Sequence, residues 1–384
     1  MTQAANKAAR SVMNLQTDVT NDASMLLKHP HDYFAYIRSC DDDDTRTTDA
    51  HYTKGLAGQP WITDKEIQLL QTLGRHSGHL AGEDAVVMDR WAQHKIVYTV
   101  DPDAADAIIN TDWHNTAIPA DILRAIPHPD PFVALPAPIH IPHDSGGYEQ
   151  YEGFIITGVR RKPGAPESRV RSSTTHPANS ELCLHYYARL VDANKNPVTE
   201  YVTDIFGRRR KAHPIIGMRI LTPLVDATMD ERYDYALADV RNNPTGDEGW
   251  ADDTITTTAI DTLVTTGLAL TVYLCSDNPD TATTGIRARP RTHKTRRDQP
   301  NAPITVTGLG YRIGAALRDH KHRRSSQPHT SATGTRTVAA HVRRSHIHTY
   351  RVGPGRRRTI LKWLPPIGVG LTRRPDIPQV HHAK

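Results

Sequence analysis

Residues 254–274 read TITTTAIDTLVTTGLALTVYL, and this stretch decides the fold. Its apolar side chains recur at helical spacing on one face or just beside it: Ile255, Ala259, Ile260, Leu263, Val264, Leu268, Leu270 and Leu274. Asp252 and Asp253 precede the stretch, where acidic groups stabilise the positive end of a helix dipole. Because its many threonines weaken intrinsic helix propensity, packing must hold it. The pattern predicts a long core helix over 254–274.

Short β-type runs divided by glycine and proline precede this helix. They cover residues 132–135, 151–159, 182–191, 200–205 and 215–221. These runs predict a mostly antiparallel central sheet. The polar, basic pieces 162–173 and 208–211 are predicted to be exposed connections.

Helical signals dominate the chain before residue 131. Apolar residues in the first forty positions recur at helical spacing, and Thr63 with Glu66 forms a capping box. A strand is predicted over 95–100. Asp101 followed by Pro102 is typical of a helix start, and that helix should end at Asn110.

The predicted fold class is therefore α+β, with N-terminal helices, a central mostly antiparallel sheet, one long core helix and a C-terminal β-hairpin. We divide the chain into a mainly helical region, 1–130, and an α+β region, 131–384. The second region holds the core helix and the hairpin at 341–366. Two stretches rich in arginine, 285–303 and 320–337, are predicted to be basic flexible loops.

Composition restricts the classes of function. Cys40, Cys183 and Cys275 lie far apart and indicate neither a disulfide framework nor a metal knuckle. The apolar runs are short and interrupted, so no membrane segment and no membrane partner is expected. A reducing, cytoplasmic location fits these features. The chain has no Walker loop, GxSxG, HExxH or GxGxxG motif.

Charge is spread unevenly over a chain of 384 residues with a formal net charge of +5. Residues 41–44 form an acidic run, whereas arginine and histidine crowd the last hundred positions. Such asymmetry predicts a basic face for a polyanion. The alternative is that arginine serves here as a solubilising surface residue.

The C-terminal segment 341–366 holds the strongest functional pattern. HVRRSHIHTY at 341–350 and RRRTILKWL at 356–364 flank a Gly-Pro-Gly turn, which predicts a hairpin. Strand alternation would place one set of side chains together on one face: Arg344, His346, His348 and Tyr350. The opposite face would hold Arg343, Ser345, Ile347 and Arg351.

Two imidazoles and a guanidinium on one face could move protons near neutral pH, so His346, His348 and Arg344 are the catalytic candidates. A His-x-His pair supplies only two metal ligands, and no cofactor or metal site is predicted. The plain alternative is a solvated basic strand on which Tyr350 and Trp363 pack across the hairpin.

Arginines interleaved with aromatic rings also suit RNA, because guanidinium groups neutralise phosphates and aromatic faces stack on unpaired bases. The predicted nucleic-acid or partner-binding residues are Arg343, Arg344, His346, His348, Tyr350, Arg356, Arg357, Arg358, Lys362 and Trp363. No RRM, KH or zinc-knuckle signature accompanies them.

The pattern His-x-Arg-Arg-(small)-His-x-His-x-Tyr, followed by a glycine turn and a basic run ending at Lys362-Trp363, resembles the C-terminal signature of the second type V-A anti-CRISPR family, AcrVA-two. Weaker similarity extends over most of the chain from about residue 33 and includes 278–280 and 308–314. Within the signature, Ser345 stands where the family has glycine, and Ile347 and Arg351 stand where it has tryptophans.

The resemblance implies a regulator encoded by a phage or plasmid and acting in the cytoplasm of a bacterial host cell. Such a protein would bind a nascent polypeptide, its mRNA or the ribosome and suppress production of a type V-A CRISPR nuclease through mRNA decay. The residues leave catalysis and oligomeric state open. The alternatives are a metal-independent ribonuclease that uses the His/Arg hairpin, or a nucleic-acid-binding phage protein.

Overall fold

A seven-stranded mixed sheet lies at the centre of the computed structural model. The structure describes residues 7–9, 87, 91, 94–113, 115–143, 146–157, 181–198, 200–203, 209–212, 215–242, 254–285, 304–326 and 341–369.

Fifteen strands are present in the described ranges: β1 Ile96–Val100, β2 Ala117–Ile118, β3 Phe132–Pro142, β4 Tyr148–Thr157, β5 Glu181–Val191, β6 Glu200–Thr203, β7 Arg209–Ala212, β8 Ile215–Pro223, β9 Ala227–Thr228, β10 Thr281–Gly285, β11 Thr305–Leu309, β12 His341–Arg343, β13 His346–Val352, β14 Arg358–Leu364 and β15 Ile367–Val369. The central sheet has the order β10-β11-β1-β3-β4-β5-β8. β1 pairs in parallel with β11 and with β3, and the other four pairings are antiparallel. The predicted mostly antiparallel sheet is therefore confirmed.

Five labelled helices accompany the strands: α1 Pro102–Ile109, α2 Ala120–Leu123, α3 Met229–Asn242, α4 Thr254–Leu274 and α5 Tyr311–Ser326. α4 is the predicted core helix, with the predicted bounds. Its last two turns are buried almost all round, including Leu270 and Tyr273, and even Thr271 is 1% exposed. Ile255, expected on the core face, is instead 68% exposed because it lies in the first turn, before the helix enters the core.

α4 alone among the described helices is long and apolar enough to cross a membrane by length and composition. In its most apolar window, 61% of the residues are buried inside the protein. Packing against the sheet and the neighbouring helices thus accounts for its apolar surface.

The N-terminal helices predicted in the first forty residues and after Thr63 lie almost wholly outside the described residues. Residues 7–9, 87, 91 and 94 are helical. Trp91 is fully buried, and its indole Nε1 donates a hydrogen bond to the Ile96 carbonyl at 3.0 Å. This contact holds the residues before β1 against the sheet.

Two loop predictions need correction. Residues 209–212 form β7, paired with β6, so the predicted connection at 208–211 is largely strand. Residues 320–326 continue α5, because arginine and lysine favour helix and the chain has no proline between the start of α5 and Pro328. Residues 327–337 and 286–303 lie outside the described part of the chain.

The division at residue 130 stays a prediction. β1, from the N-terminal side of that division, pairs with β3 and β11 from the other side. The described residues of 94–130 thus contribute to the same sheet and the same hydrophobic core as the later elements.

Candidate functional site

The C-terminal hairpin forms as predicted, with β13 and β14 joined by a short 3-10 turn at Pro354–Arg356. Gly353, Gly355 and Arg356 all have positive φ in this turn, the backbone region that glycine enters most easily. A second pair, β12 with β15, extends the hairpin at its base. The backbone register places His348 opposite Lys362 and Tyr350 opposite Ile360.

One face of the hairpin is buried against the core. Ile347 and Trp363 are cross-strand neighbours on this face, and Leu361 next to them is fully buried. The Trp363 ring meets the Tyr273 ring of α4 edge to face, with centroids 5.1 Å apart. The hairpin is thus built onto the C-terminal end of the core helix.

Trp363 therefore needs a correction as a predicted binding residue. Only 8% of it is exposed, so its indole packs in the core and does not offer a stacking face on the surface. Tyr350 points to the opposite face, so the predicted packing of Tyr350 and Trp363 across the hairpin is wrong as well. Successive side chains along a strand point to opposite faces of the hairpin, and directly paired residues share a face. The pairing of β13 with β14 therefore places the two rings on opposite faces.

A chain of hydrogen bonds fixes the base of the hairpin to α1. Trp363 Nε1 donates to Thr111 Oγ1 at 2.8 Å. The Thr111 and Ser345 hydroxyls lie 2.9 Å apart, and both lie within hydrogen-bond distance of the Ala107 carbonyl, at 2.9 and 2.7 Å. Thr111 and Ser345 are both buried. Ser345 and Ile347, which depart from the family signature, are therefore packed where the hairpin meets the rest of the protein.

Replacing Ser345 by Ala should destabilise the protein by about 1 kcal/mol, because the buried hydrogen bond from Ser345 to the Ala107 carbonyl is lost while Thr111 can still donate to that carbonyl. Urea unfolding would measure the change. Thr262→Ala is the matched control, since that exposed hydroxyl donates within its own helix, to the Thr258 carbonyl. Equal midpoints for the Ser345 variant and the unmodified protein would contradict the assigned role.

The outer face of the hairpin is exposed, basic and aromatic. The His348 and Tyr350 rings stack with centroids 4.5 Å apart, and Lys362 Nζ lies 5.9 Å from the Tyr350 ring centroid. Tyr350 is 38% exposed. Five further cations on or beside the hairpin are also exposed: Arg344, Arg351, Arg356, Arg357 and Arg358. Arg343 lies in β12, but its side chain is outside the described part of the structure.

The predicted histidine pair lies on this outer face, with His346 half-buried and His348 exposed. Within the described residues, His346 Nδ1 is buried and has no hydrogen-bond partner, whereas His348 Nδ1 lies 3.3 Å from the Thr349 carbonyl. The described residues bring no three His, Cys, Asp or Glu side chains together as metal ligands. The acidic run 41–44 lies outside those residues.

Sequence reasoning missed an ion-pair cluster between α1 and α5. Asp101 was expected as a helix cap, and its buried Oδ1 does accept from the Asp103 and Ala104 amides at 3.0 and 3.3 Å. Arg318 additionally donates to both Asp101 oxygens, at 2.9 Å each. A Cβ at Gly314 would lie 1.8 Å from Asp101 Oδ1, so the two helices meet here only because Gly314 has no side chain. A glycine inside a helical pattern was the available signal.

Lys321 extends the same cluster. Its Nζ donates to Asp103 Oδ1 at 2.7 Å, and this hydrogen bond, helped by Arg318, lowers the pKa of the Asp103 carboxyl. Asp103 is thus neutralised by two cations of α5.

Asp280 connects two other segments that carry the family resemblance: it lies in 278–280 and hydrogen-bonds to backbone amides in 308–314. Its carboxylate accepts from the amides of Arg312 and Ile313, at 2.8 and 3.1 Å, and so caps the start of α5 from a distance in sequence. Gly310 has a φ of +74° and packs against Ala104. These segments therefore position α5 against α1.

A groove of about 550 Å³ lies between α1, α5 and the two segments that flank the hairpin strands. Asp106 and Asn110 line it from α1, His320 from α5, and Arg344 from the segment before β13. The groove thus adjoins the basic face through Arg344.

Comparison with known proteins gives the family. The model of the AcrVA2-like family, described as Anti-CRISPR type V subtype A2, matches residues 98–371, more than two thirds of the chain. The chain belongs to the AcrVA2-like family. One similar solved structure, described as "Crystal structure of AcrVA2", has 16% sequence identity and a TM-score of 0.38, over 95% of this chain and 98% of that chain. No match is found among curated proteins.

Membership of the AcrVA2-like family confirms the resemblance inferred from the C-terminal signature. The matched region contains the hairpin, the groove and the cluster around Asp101 and Arg318. The protein is therefore a member of an anti-CRISPR family.

Proposed function

We propose that this protein suppresses production of a type V-A CRISPR nuclease by binding the nascent polypeptide, its mRNA or both, in the cytoplasm of a bacterial host. Membership of the AcrVA2-like family supports the anti-CRISPR part of the proposal. The observation that supports an RNA-proximal role is the outer face of the hairpin, where stacked His348 and Tyr350 rings adjoin Lys362 and the arginines of the turn.

The chemistry of this face suits single-stranded RNA. Exposed guanidinium groups neutralise phosphates and release counterions, which makes binding dependent on salt. The exposed part of the His348–Tyr350 stack offers a ring face to an unpaired base. Trp363 has no part in this contact, since it is buried on the other face.

Replacing Arg356, Arg357 and Arg358 together by Ala should weaken binding of single-stranded RNA and flatten its salt dependence. Each lost phosphate contact should reduce the slope of log K against log salt by about 0.7. All three side chains are exposed, so folding should be little affected. Fluorescence anisotropy with a labelled oligoribonucleotide at several salt concentrations would measure both quantities.

The control is Lys7→Ala with Lys195→Ala, two exposed cations outside the hairpin. Its salt slope should match that of the unmodified protein. Equal loss in both variants would assign RNA binding to bulk charge and contradict the role of the hairpin. Tighter binding of double-stranded DNA than of RNA at matched salt would contradict the proposal as a whole.

Translating ribosomes test the nascent-polypeptide part separately. Ribosomes stalled on the first codons of a type V-A nuclease should co-sediment with the protein more strongly than ribosomes stalled on an unrelated sequence. Equal co-sedimentation would leave no role for a specific nascent peptide and would contradict that part of the proposal.

A ribonuclease is the second candidate function, favoured by two histidines on the same strand face, of which His346 is half-buried and His348 exposed. Two observations weigh against it. His348 stacks on Tyr350, and the structure records no carboxylate partner for His346 or His348 among the described side chains. Cleavage of naked RNA in the presence of EDTA that is lost in His346→Ala would favour this candidate over binding alone.

A further inference from the structure

The groove between α1 and α5 has the size and the mixed lining of a ligand site. Its volume of about 550 Å³ lies within the range typical of small-molecule pockets. Ile313, Leu317 and Pro366 give it apolar walls, and the small side chains Ala107 and Ala316 leave space between the helices. A ligand of small-molecule size with an apolar body can therefore enter the groove.

The polar groups of the groove comprise an acceptor on α1 and basic side chains on the other segments that line it. On α1, Asp106 Oδ1 accepts from Asn110 Nδ2 at 3.0 Å, which leaves its second oxygen available as an acceptor. On the other side, the structure records no hydrogen bond or ion pair for Arg344 or His320 with any described residue. Asp103 also lines the groove, but Arg318 and Lys321 neutralise it.

We propose that this groove binds one unpaired guanine nucleotide of an RNA strand. Guanine presents two neighbouring N–H donors on its Watson–Crick edge, and Asp106 can accept one through its second oxygen and the other through the remaining lone pair of Oδ1. The ring would lie between the apolar walls of Leu317 and Pro366, while Arg344 neutralises the phosphate. The proposal rests on the RNA binding proposed above for the hairpin.

Continuity of the surface favours RNA over a peptide. Arg344 lines the groove and lies two residues before His346, where the exposed strand of the hairpin begins. A strand that places one base in the groove would pass directly onto the basic face with His348 and Tyr350. A peptide in the groove would leave this cationic continuation without a counterpart.

The test compares two labelled 12-nucleotide RNAs, one all uridine and one with a single central guanosine, by fluorescence anisotropy at fixed salt. We expect the unmodified protein to bind the guanosine-containing RNA about 10-fold more tightly, as one well-placed base contact does elsewhere. Asp106→Asn should remove most of this preference because it removes the charged acceptor. Ala316→Leu, which fills the groove without changing charge, should do the same.

The matched control is Asp234→Asn, the same exchange at an exposed position of α3 outside the groove, and it should keep the full preference. RNA binding without a guanosine preference, or a preference unchanged in both groove variants, would overturn the groove assignment while leaving the hairpin role intact. Absence of all RNA binding would overturn the hairpin role as well. If the two groove variants release a bound short peptide and leave RNA affinity unchanged, the groove is a peptide site instead.

Discussion

Trp363→Ala should destabilise the protein by about 3–5 kcal/mol, the cost typical of removing a large buried aromatic side chain. The change removes the edge-to-face contact with Tyr273 and the hydrogen bond to Thr111, and it leaves a cavity beneath the hairpin. Urea unfolding would give the loss of free energy. Hydrogen exchange should show faster exchange of the β13 and β14 amides than of the central sheet, because the hairpin would separate from the core first.

Tyr350→Ala is the matched control, since it removes an aromatic ring from the same hairpin on the exposed face. Its effect on stability should stay near 0.5 kcal/mol, as for other surface changes. RNA affinity should follow the opposite order, because the Tyr350→Ala variant should stay folded and yet lose RNA binding. Similar unfolding midpoints for the two variants would contradict the assignment of one face to packing and the other to binding.

Arg232→Met should also cost about 3–5 kcal/mol, because it removes a buried charged donor and leaves its carbonyl partners unpaired. Arg232 is fully buried and donates to the carbonyls of Ile118, Pro223 and Val225, which joins β2 and the end of β8 to α3. Burial lowers the pKa of Arg232 to about 10, so the group stays charged at neutral pH. Methionine keeps much of the stem volume, so the variant isolates the lost hydrogen bonds.

Arg124→Met is the control for this change. Arg124 lies nearby, donates to Asp121 at 3.1 Å and to the Leu224 carbonyl at 3.4 Å, and keeps 30% of its side chain exposed, so water can replace the lost bond to Asp121. We expect a loss below about 1 kcal/mol. Thermal unfolding of both variants would measure the difference. Equal shifts of the unfolding temperature would contradict the structural role assigned to Arg232.

Local patterns in the sequence predicted much of the fold. The bounds of α4, the cap of α1 by Asp101, the strands β1, β4 and β5, and the C-terminal hairpin follow from periodicity, capping and turn residues, which act over a few neighbouring positions. The start of α5 did not follow, because its capping carboxylate, Asp280, lies 31 residues before Tyr311 in the chain. Residues 320–326 were misassigned since basic composition resembles a loop when the packing partner of a helix is unknown.

The candidate site was predicted in part. Alternation along β13 correctly separated His346, His348 and Tyr350 from Ile347, but the sequence did not show which face meets the core. Only the contact with Tyr273 and Thr111 decides that Trp363 is buried. The groove also escaped prediction, because its residues come from four separate segments of the chain.

The sequence by itself determined the α+β class, the core helix, the hairpin and the family, since each depends on residue order within short segments. The tertiary structure decided which hairpin side chains are exposed, how Asp101 joins Arg318, and where Arg344 meets α1 and α5. Those features depend on contacts between residues more than 200 positions apart. Burial and charge pairing at such distances are set by packing, which no local pattern specifies.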